Sequence, residues 1–207
     1  MRNISAKNKK RIVAAIICTL LLVLAIAAAV LLTDKGGSFG APTLTIETPQ
    51  KIDLSQTEEV TLDMNISHLG EALYPAASMS IRFDPSKLEF LGLEEGNLFV
   101  LDQAGNEFGR ILPEWSVNPQ QSNKNGCINI MYLDMTGGKH SFNQNLLAEE
   151  DNVVLRLNFR LRGSVRPGDV LDLVLEDAVF AASDESQSLA MTTNTLRAKN
   201  GKIVVGG

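Results

Sequence analysis

The sequence predicts an all-β fold, an antiparallel β-sandwich, behind a single N-terminal transmembrane helix. Three observations carry this reading: one long uncharged apolar run near the start, apolar–polar alternation in segment after segment from residue 43 onward, and clusters of Gly, Pro, Asp and Ser between those segments. Of the 207 residues, 44% are hydrophobic, which suffices for one domain-sized core with appendages.

Residues 1–11 form a basic segment, with Arg2, Lys7, Lys9, Lys10 and Arg11 and no acid. Residues 12–32, IVAAIICTLLLVLAIAAAVLL, carry no charge, and a helix of that length matches the hydrocarbon thickness of a bilayer at about 1.5 Å per residue. The segment reads as an uncleaved signal anchor. By the positive-inside rule its N-terminus is cytoplasmic and the rest of the chain extracellular, at the cell membrane. A cleaved signal peptide is the competing reading. Ala25-Ile26-Ala27 or Ala27-Ala28-Ala29 could serve as its cleavage site, but Val30, Leu31 and Leu32 continue the apolar run beyond both. Residues 33–42, TDKGGSFGAP, read as a flexible linker that reaches roughly 33 Å when extended and keeps the domain beside the membrane. A partner is then either small enough to enter the wall space or itself membrane-associated.

Residues 43–207 are the β-domain. Leu44 and Ile46 alternate with Thr45 and Glu47, and Val60, Leu62, Met64 and Ile66 with Thr61, Asp63, Asn65 and Ser67. Ala77, Met79, Ile81 and Phe83 share one phase. Asp84-Pro85-Ser86 then turns the chain into a strand with Leu88 and Phe90. In VVLRLNFRLR, Val153, Leu155, Leu157, Phe159 and Leu161 take the core face and Arg156, Asn158, Arg160 and Arg162 the wet one. Pro167-Gly168-Asp169 leads into VLDLVLED, where Leu171, Leu173 and Leu175 alternate again. Cys18 lies in the apolar run and Cys127 far along the domain, so the fold has to hold without a disulfide.

Charge excludes some partners. Five of the 19 Lys+Arg precede the span, leaving 14 against 24 Asp+Glu and a formal charge of minus ten on the exported part. Nucleic acid and anionic membrane surfaces reward cationic proteins, so neither is expected as the main partner.

The strand–Asp-Pro-x-x-Leu-Glu-Phe segment at 80–90, INIMYLDMTGG at 128–138, VVLRLNFRLRG at 153–163 and DAVFAASDESQSLAMTTNTLRAKNGKIVV at 177–205 together resemble the cohesin domain of cellulosome scaffoldins. The resemblance covers roughly residues 43–205. It implies a nine-stranded jelly roll that binds a dockerin, a small calcium-loaded helical module on polysaccharide-degrading enzymes. In cohesins one sheet face, which includes the third, fifth and sixth strands, receives the dockerin helices. Carried onto this chain, the third strand presents Ala76, Ser78, Ser80 and Arg82, and the sixth presents Asn129, Met131 and Leu133 with Asp134 at its end. Many first-type cohesins have Asn and Asp where this chain has Ala76 and Ser78, a departure that argues against the usual dockerin specificity. Ser78 and Ser80 also fit plain solvated strand surface. Met131 and Leu133 say more, because a strand that is apolar on both faces needs cover on both. The resemblance implies no cofactor on this chain, with any calcium expected on the dockerin.

Enzyme readings have little support. The two histidines, His68 and His140, are expected in solvated loops, and no nucleophile elbow surrounds any serine. Glu94 with Glu95, and Glu149 with Glu150 and Asp151, are adjacent acids of the kind that solvate turns. Asp177, Asp184 and Glu185 could contact calcium but lack the spacing of an EF-hand loop. Asn65-Ile66-Ser67 matches an N-glycosylation acceptor but falls within an expected strand. A carbohydrate-binding module of the same fold is the main alternative, with polysaccharide as its ligand. Sugar platforms need exposed aromatics, which are only 5% of the chain. Trp115 and Tyr132 fall in phase with core residues, leaving Tyr74 as the free one. A structural subunit of a cell-envelope complex is a third reading.

Overall fold

Twelve strands, the longer of them built on apolar residues at every second position, lie among the residues described by the computed structural model, which are 42–49, 51–69, 73–98, 100–102, 109–136, 140–144, 147, 152–182 and 196–206. In chain order these are β1 (Thr43–Ile46), β2 (Glu59–Ile66), β3 (Ala76–Arg82), β4 (Leu88–Glu95), β5 (Val100–Asp102), β6 (Gly109–Ile111) and β7 (Ser116–Val117). A short helix α1 (Pro119–Asn125) follows, then β8 (Cys127–Leu133), β9 (Val153–Leu161), β10 (Val170–Ala181), β11 (Arg197–Lys199) and β12 (Gly201–Val204). The basic segment, the span at 12–32 and nearly all of the linker lie outside the described residues. Among those described, no helix is long and apolar enough to cross a membrane.

Two five-stranded sheets, ordered β11-β1-β2-β9-β4 and β12-β10-β3-β8-β7, make the sandwich, and β5 pairs with β6 apart from both. The count exceeds the nine strands expected, for identifiable reasons. β11 and β12 are one stretch of chain that changes sheets at Asn200: β11 runs parallel to β1, and β12 antiparallel to β10. The Asn200 side-chain oxygen Oδ1 accepts the Leu175 N–H at 3.0 Å, beside the bulge between Leu175 and Asp177. β5, β6 and β7 are two or three residues long, too short to carry a readable period.

The alternation places the core as expected. Leu44, Ile46, Leu62, Met64, Leu157 and Phe159 from one sheet meet Met79, Ile81, Ile130, Leu173 and Phe180 from the other, all buried. Phe159 meets Phe83 edge-on and Phe90 at a tilt, each with its ring centroid 5.5 Å away. On the outer surface of the first sheet the polar residues pair across strands. Arg156 bonds Asp63 at 3.0 Å, Arg160 bonds Glu59 at 2.7 Å, and Asn158 joins Thr61 and Glu94 at 2.7 and 2.9 Å. That surface satisfies its own charges.

The Asp84-Pro85-Ser86 turn does more than link neighbouring strands. β3 pairs with β8 and β10, whereas β4 pairs with β9, so the turn carries the chain from one sheet to the other. Asp84 Oδ1 accepts from the Ser86 N–H and hydroxyl at 2.8 and 2.7 Å, and these bonds hold its carboxyl below the usual carboxylate range. Helix α1 was not expected, since PQQSNKN has no apolar residue to mark a helical face. Its ends are nevertheless written in the sequence. The Asn118 side chain caps Gln121 N–H at 3.0 Å, Pro119 opens the helix, and Gly126 closes it at φ 66°. A Cβ on Gly126 would lie 2.9 Å from the Phe83 carbonyl oxygen, so only glycine fits against the turn. Within α1, Asn123 pairs with both backbone groups of Phe90, at 2.7 and 2.8 Å, and covers the edge of β4 where its ladder is irregular.

Candidate partner-binding face

The outer face of the second sheet differs from that of the first. On β3, Ala77, Met79 and Ile81 point inward, which leaves Ala76, Ser78, Ser80 and Arg82 outward, as expected from the period. On β8, Ile128, Ile130 and Tyr132 point inward, and Asn129, Met131 and Leu133 outward. Antiparallel register brings the two sets together: Ala76 lies opposite Leu133, Ser78 opposite Met131, Ser80 opposite Asn129, and Arg82 opposite Cys127. All the expected outward residues of both strands therefore share one face.

Met131 and Leu133 keep 56% and 57% of their surface exposed, and Met135 just beyond them keeps 84%. Val170 and Val174 on β10 are the other exposed large apolar residues among those described. Four of these five residues stand on this face, and Met135 extends it past the end of β8. A groove of about 540 Å³ runs beside Leu133 and Met135, lined also by Leu112, Pro113, Glu114 and Ser116. Exposed apolar side chains grouped in this way are uncommon on a solvated strand.

Polar groups fix the two ends. At one, Arg82 donates to both oxygens of Glu176, from Nε at 2.6 Å and from Nη2 at 2.9 Å. Ser80 donates to Asn129 Oδ1 at 2.9 Å, and the free thiol of Cys127 lies 3.7 Å from the same oxygen. At the other end, Asp134 serves its own loop: Oδ1 accepts from the Thr136 N–H at 2.7 Å and Oδ2 from the His140 N–H at 3.0 Å. Arg82 and Asp134 thus bracket the face from opposite ends of β8, roughly 23 Å apart at strand rise.

The sequence reading found the β10 strand in VLDLVLED but did not place it on this face. Its signal was present, because VLDLVLEDAVFA places Val170, Val174 and Val179 in the phase opposite to its buried leucines before and after the bulge. It also missed Leu112, Pro113 and Met135, which lie outside the strands and follow no period. Tyr74 is corrected: it is buried rather than free, donates its hydroxyl to the Leu69 carbonyl at 2.6 Å and meets the Phe180 ring edge-on at 6.2 Å. Trp115 packs against the core as its phase predicts, with its ring 5.7 Å from both Tyr132 and Phe142. His68 is half-buried rather than solvated, with Nδ1 2.8 Å from the Ser67 hydroxyl. Among the described residues no cluster of His, Cys, Asp and Glu could hold a metal ion.

Comparison with known proteins agrees with this geometry. The family model described as Cohesin domain matches residues 42–205. No curated protein matches the chain. Among solved structures, the sixth cohesin of Acetivibrio cellulolyticus scaffoldin B, in complex with a mutant Cel5 dockerin, superposes with a TM-score of 0.56 at 16% identity, over 80% of this chain and 99% of that one. A cohesin from a type I cohesin–dockerin complex of Clostridium thermocellum gives 0.55 at 15% identity, over 80% and 99%. The cohesin module of a family 33 glycoside hydrolase from Clostridium perfringens gives 0.51 at 12% identity, over 81% and 98%. At such identities the superpositions speak for the fold, and the family match spans most of the sequence: this chain belongs to the cohesin domain family.

Proposed function

We propose that the protein is a membrane-tethered extracellular receptor that binds a dockerin-type module of polysaccharide-degrading enzymes, noncovalently, through the outer face of β10, β3, β8 and β7. The observation that carries this is the contrast between the sheets. One outer surface is laced with cross-strand ion pairs, whereas the other exposes Met131, Leu133, Val170 and Val174. Solved relatives supply the partner class, since their cohesins were crystallised with dockerins. Ala76 and Ser78 offer a partner less hydrogen bonding than an Asn and an Asp would. A standard first-type dockerin is therefore expected to bind weakly and a cognate one well. Titrating the full-length protein in detergent micelles with both kinds of module tests this, and tight binding of the standard one would contradict it.

Tethering rests on the 21-residue apolar run and the basic residues before it. The intact mass of the membrane fraction is expected to include residues 1–32, and a mature N-terminus at Val30 or later would overturn the anchor. A polysaccharide-binding role has less support, since the aromatic rings among the described residues pack in or against the core and form no flat platform.

A further inference from the structure

We infer that the groove beside the end of β8 takes an extended peptide, added as a further strand along the β8 edge, with a Lys or Arg at the position opposite Leu133. The inference does not depend on the docking role proposed above. The backbone carries it first. Asp134 N–H donates to the Pro75 carbonyl at 2.7 Å and Phe83 N–H to the Gly126 carbonyl at 3.0 Å, so the even-numbered residues of β8 bond β3. The odd-numbered ones, Met131 and Leu133 among them, turn their N–H and C=O groups toward β7. Met131 lies opposite Ser116 there. The next pair in that ladder is Glu114 with Leu133, and it does not form: β7 begins at Ser116, and among the described residues no backbone hydrogen bond joins the two. Leu133 therefore holds a donor and an acceptor, side by side, on an open sheet edge.

The walls define what can use that edge. Leu112, Pro113 and Glu114 line one side of the groove and Leu133, Asp134 and Met135 the other, around about 540 Å³. That volume falls within the range of roughly 300–1,000 Å³ that holds small ligands. An extended chain offers N–H and C=O groups from alternate residues along one edge, the pattern that pairs with a strand, whereas a helix spends those groups internally. The residue opposite Leu133 puts its side chain on the same surface as Leu133, because directly paired residues share a face. Glu114 borders that position, exposed and with no ion pair among the described residues. The Asp134 oxygens are already taken by Thr136 and His140. A Lys or Arg opposite Leu133 lays its aliphatic stem on the leucine and its charge beside Glu114, whereas an Asp or Glu is repelled. A second copy of this chain does not suit the edge, because in each copy it lies recessed behind the 112–114 wall and two recessed edges cannot meet.

The test uses the full-length protein in lipid nanodiscs and a set of end-capped pentapeptides: Thr-Val-Lys-Val-Thr, the same peptide with Glu in place of Lys, and the Lys peptide methylated on its central backbone nitrogen. Trp115, the only tryptophan in the chain, sits between the groove residues Glu114 and Ser116, so its fluorescence reads binding. Hydrogen exchange followed by mass spectrometry reads the amides of residues 131–136. The Lys peptide is expected to change the fluorescence saturably and to slow exchange at Leu133. The Glu peptide is expected to bind at least about fivefold more weakly, and the methylated peptide at least about tenfold, since methylation removes the N–H that reaches the Leu133 carbonyl. Glu114→Lys, checked for native circular dichroism, is expected to reverse the preference between the Lys and Glu peptides. Equal binding of the methylated peptide overturns strand addition, and an unchanged preference on Glu114→Lys overturns the assigned charge contact. No saturable response to any of the peptides, or protection that spares residues 131–136, overturns the inference outright. Slow exchange at Leu133 in a dimer of the chain without peptide, seen by sedimentation, overturns it as well, because a second copy then holds the edge.

Discussion

Arg82 and Glu176 form a bidentate pair across β3 and β10, with Nε 2.6 Å from Oε1 and Nη2 2.9 Å from Oε2. Glu176 is the extra residue of the bulge between Leu175 and Asp177, so the irregularity in β10 is what sets its carboxylate beside the guanidinium. The hydrogen bonds to Glu176, and then its charge, hold Arg82 above its ordinary pKa. The pair leaves the guanidinium of Arg82 occupied and fixes one end of the face.

Arg82→Ala is expected to leave the melting temperature within about 3 °C of wild type, because exposed ion pairs add little to stability. A loss of stability on the scale of a core truncation would contradict the surface placement of the pair.

Leu157 and Arg160 test the sandwich on two faces of one strand. Leu157 is fully buried between the sheets, and Leu157→Ala is expected to cost roughly 2–5 kcal/mol in urea denaturation. Arg160 lies on the outer surface with Glu59 and Glu89, so Arg160→Ala should shift the urea midpoint far less. Equal costs at the two positions would mean that the strand is not amphipathic.

The tyrosines give a prediction in alkali. Burial, and then the Asp134 charge, push the Tyr132 phenol up to about 12, while its hydroxyl donates to the His140 carbonyl. Burial also raises Tyr74. Both folded values exceed the unfolded value of about 10, so the folded chain keeps protons that the unfolded chain gives up. Their contribution to stability is then full below about pH 10 and is lost as pH rises through the folded values, which for Tyr132 is about 12. Phenolate absorbance at pH 10 should be lower in the folded protein than in urea. Ordinary titration of either tyrosine in the folded state would contradict the burial.

Much of this was legible in the chain because alternation reports the inside of a strand directly. Leu155, Leu157 and Phe159, and Met79 and Ile81, were assigned to the core by period alone, and their outward neighbours to the surface. The same rule placed Ser78, Ser80, Arg82, Asn129, Met131 and Leu133 on outer surfaces. Period does not report which strands adjoin. That Ser78 faces Met131, and that β10 completes the face, depend on pairings between residues about fifty or a hundred positions apart. Helix α1 escaped because it has no apolar face, and only Asn118, Pro119 and Gly126 announced it. Tyr74 escaped because an isolated bridge to Phe142, rather than a strand, holds it inside.

The central claim, that the partner sits on the outer face of β3 and β8, is tested most directly by calorimetry at Leu133. The full-length protein and Leu133→Asp, both folded by circular dichroism, are titrated with a dockerin module that the wild type binds. Interface energy concentrates in a few desolvated contacts, and Leu133→Asp places a charge where the apolar row is covered. The variant is expected to lose at least about 2 kcal/mol of binding free energy, roughly thirtyfold in Kd. Unchanged affinity in the folded variant would place the interface elsewhere and contradict the account.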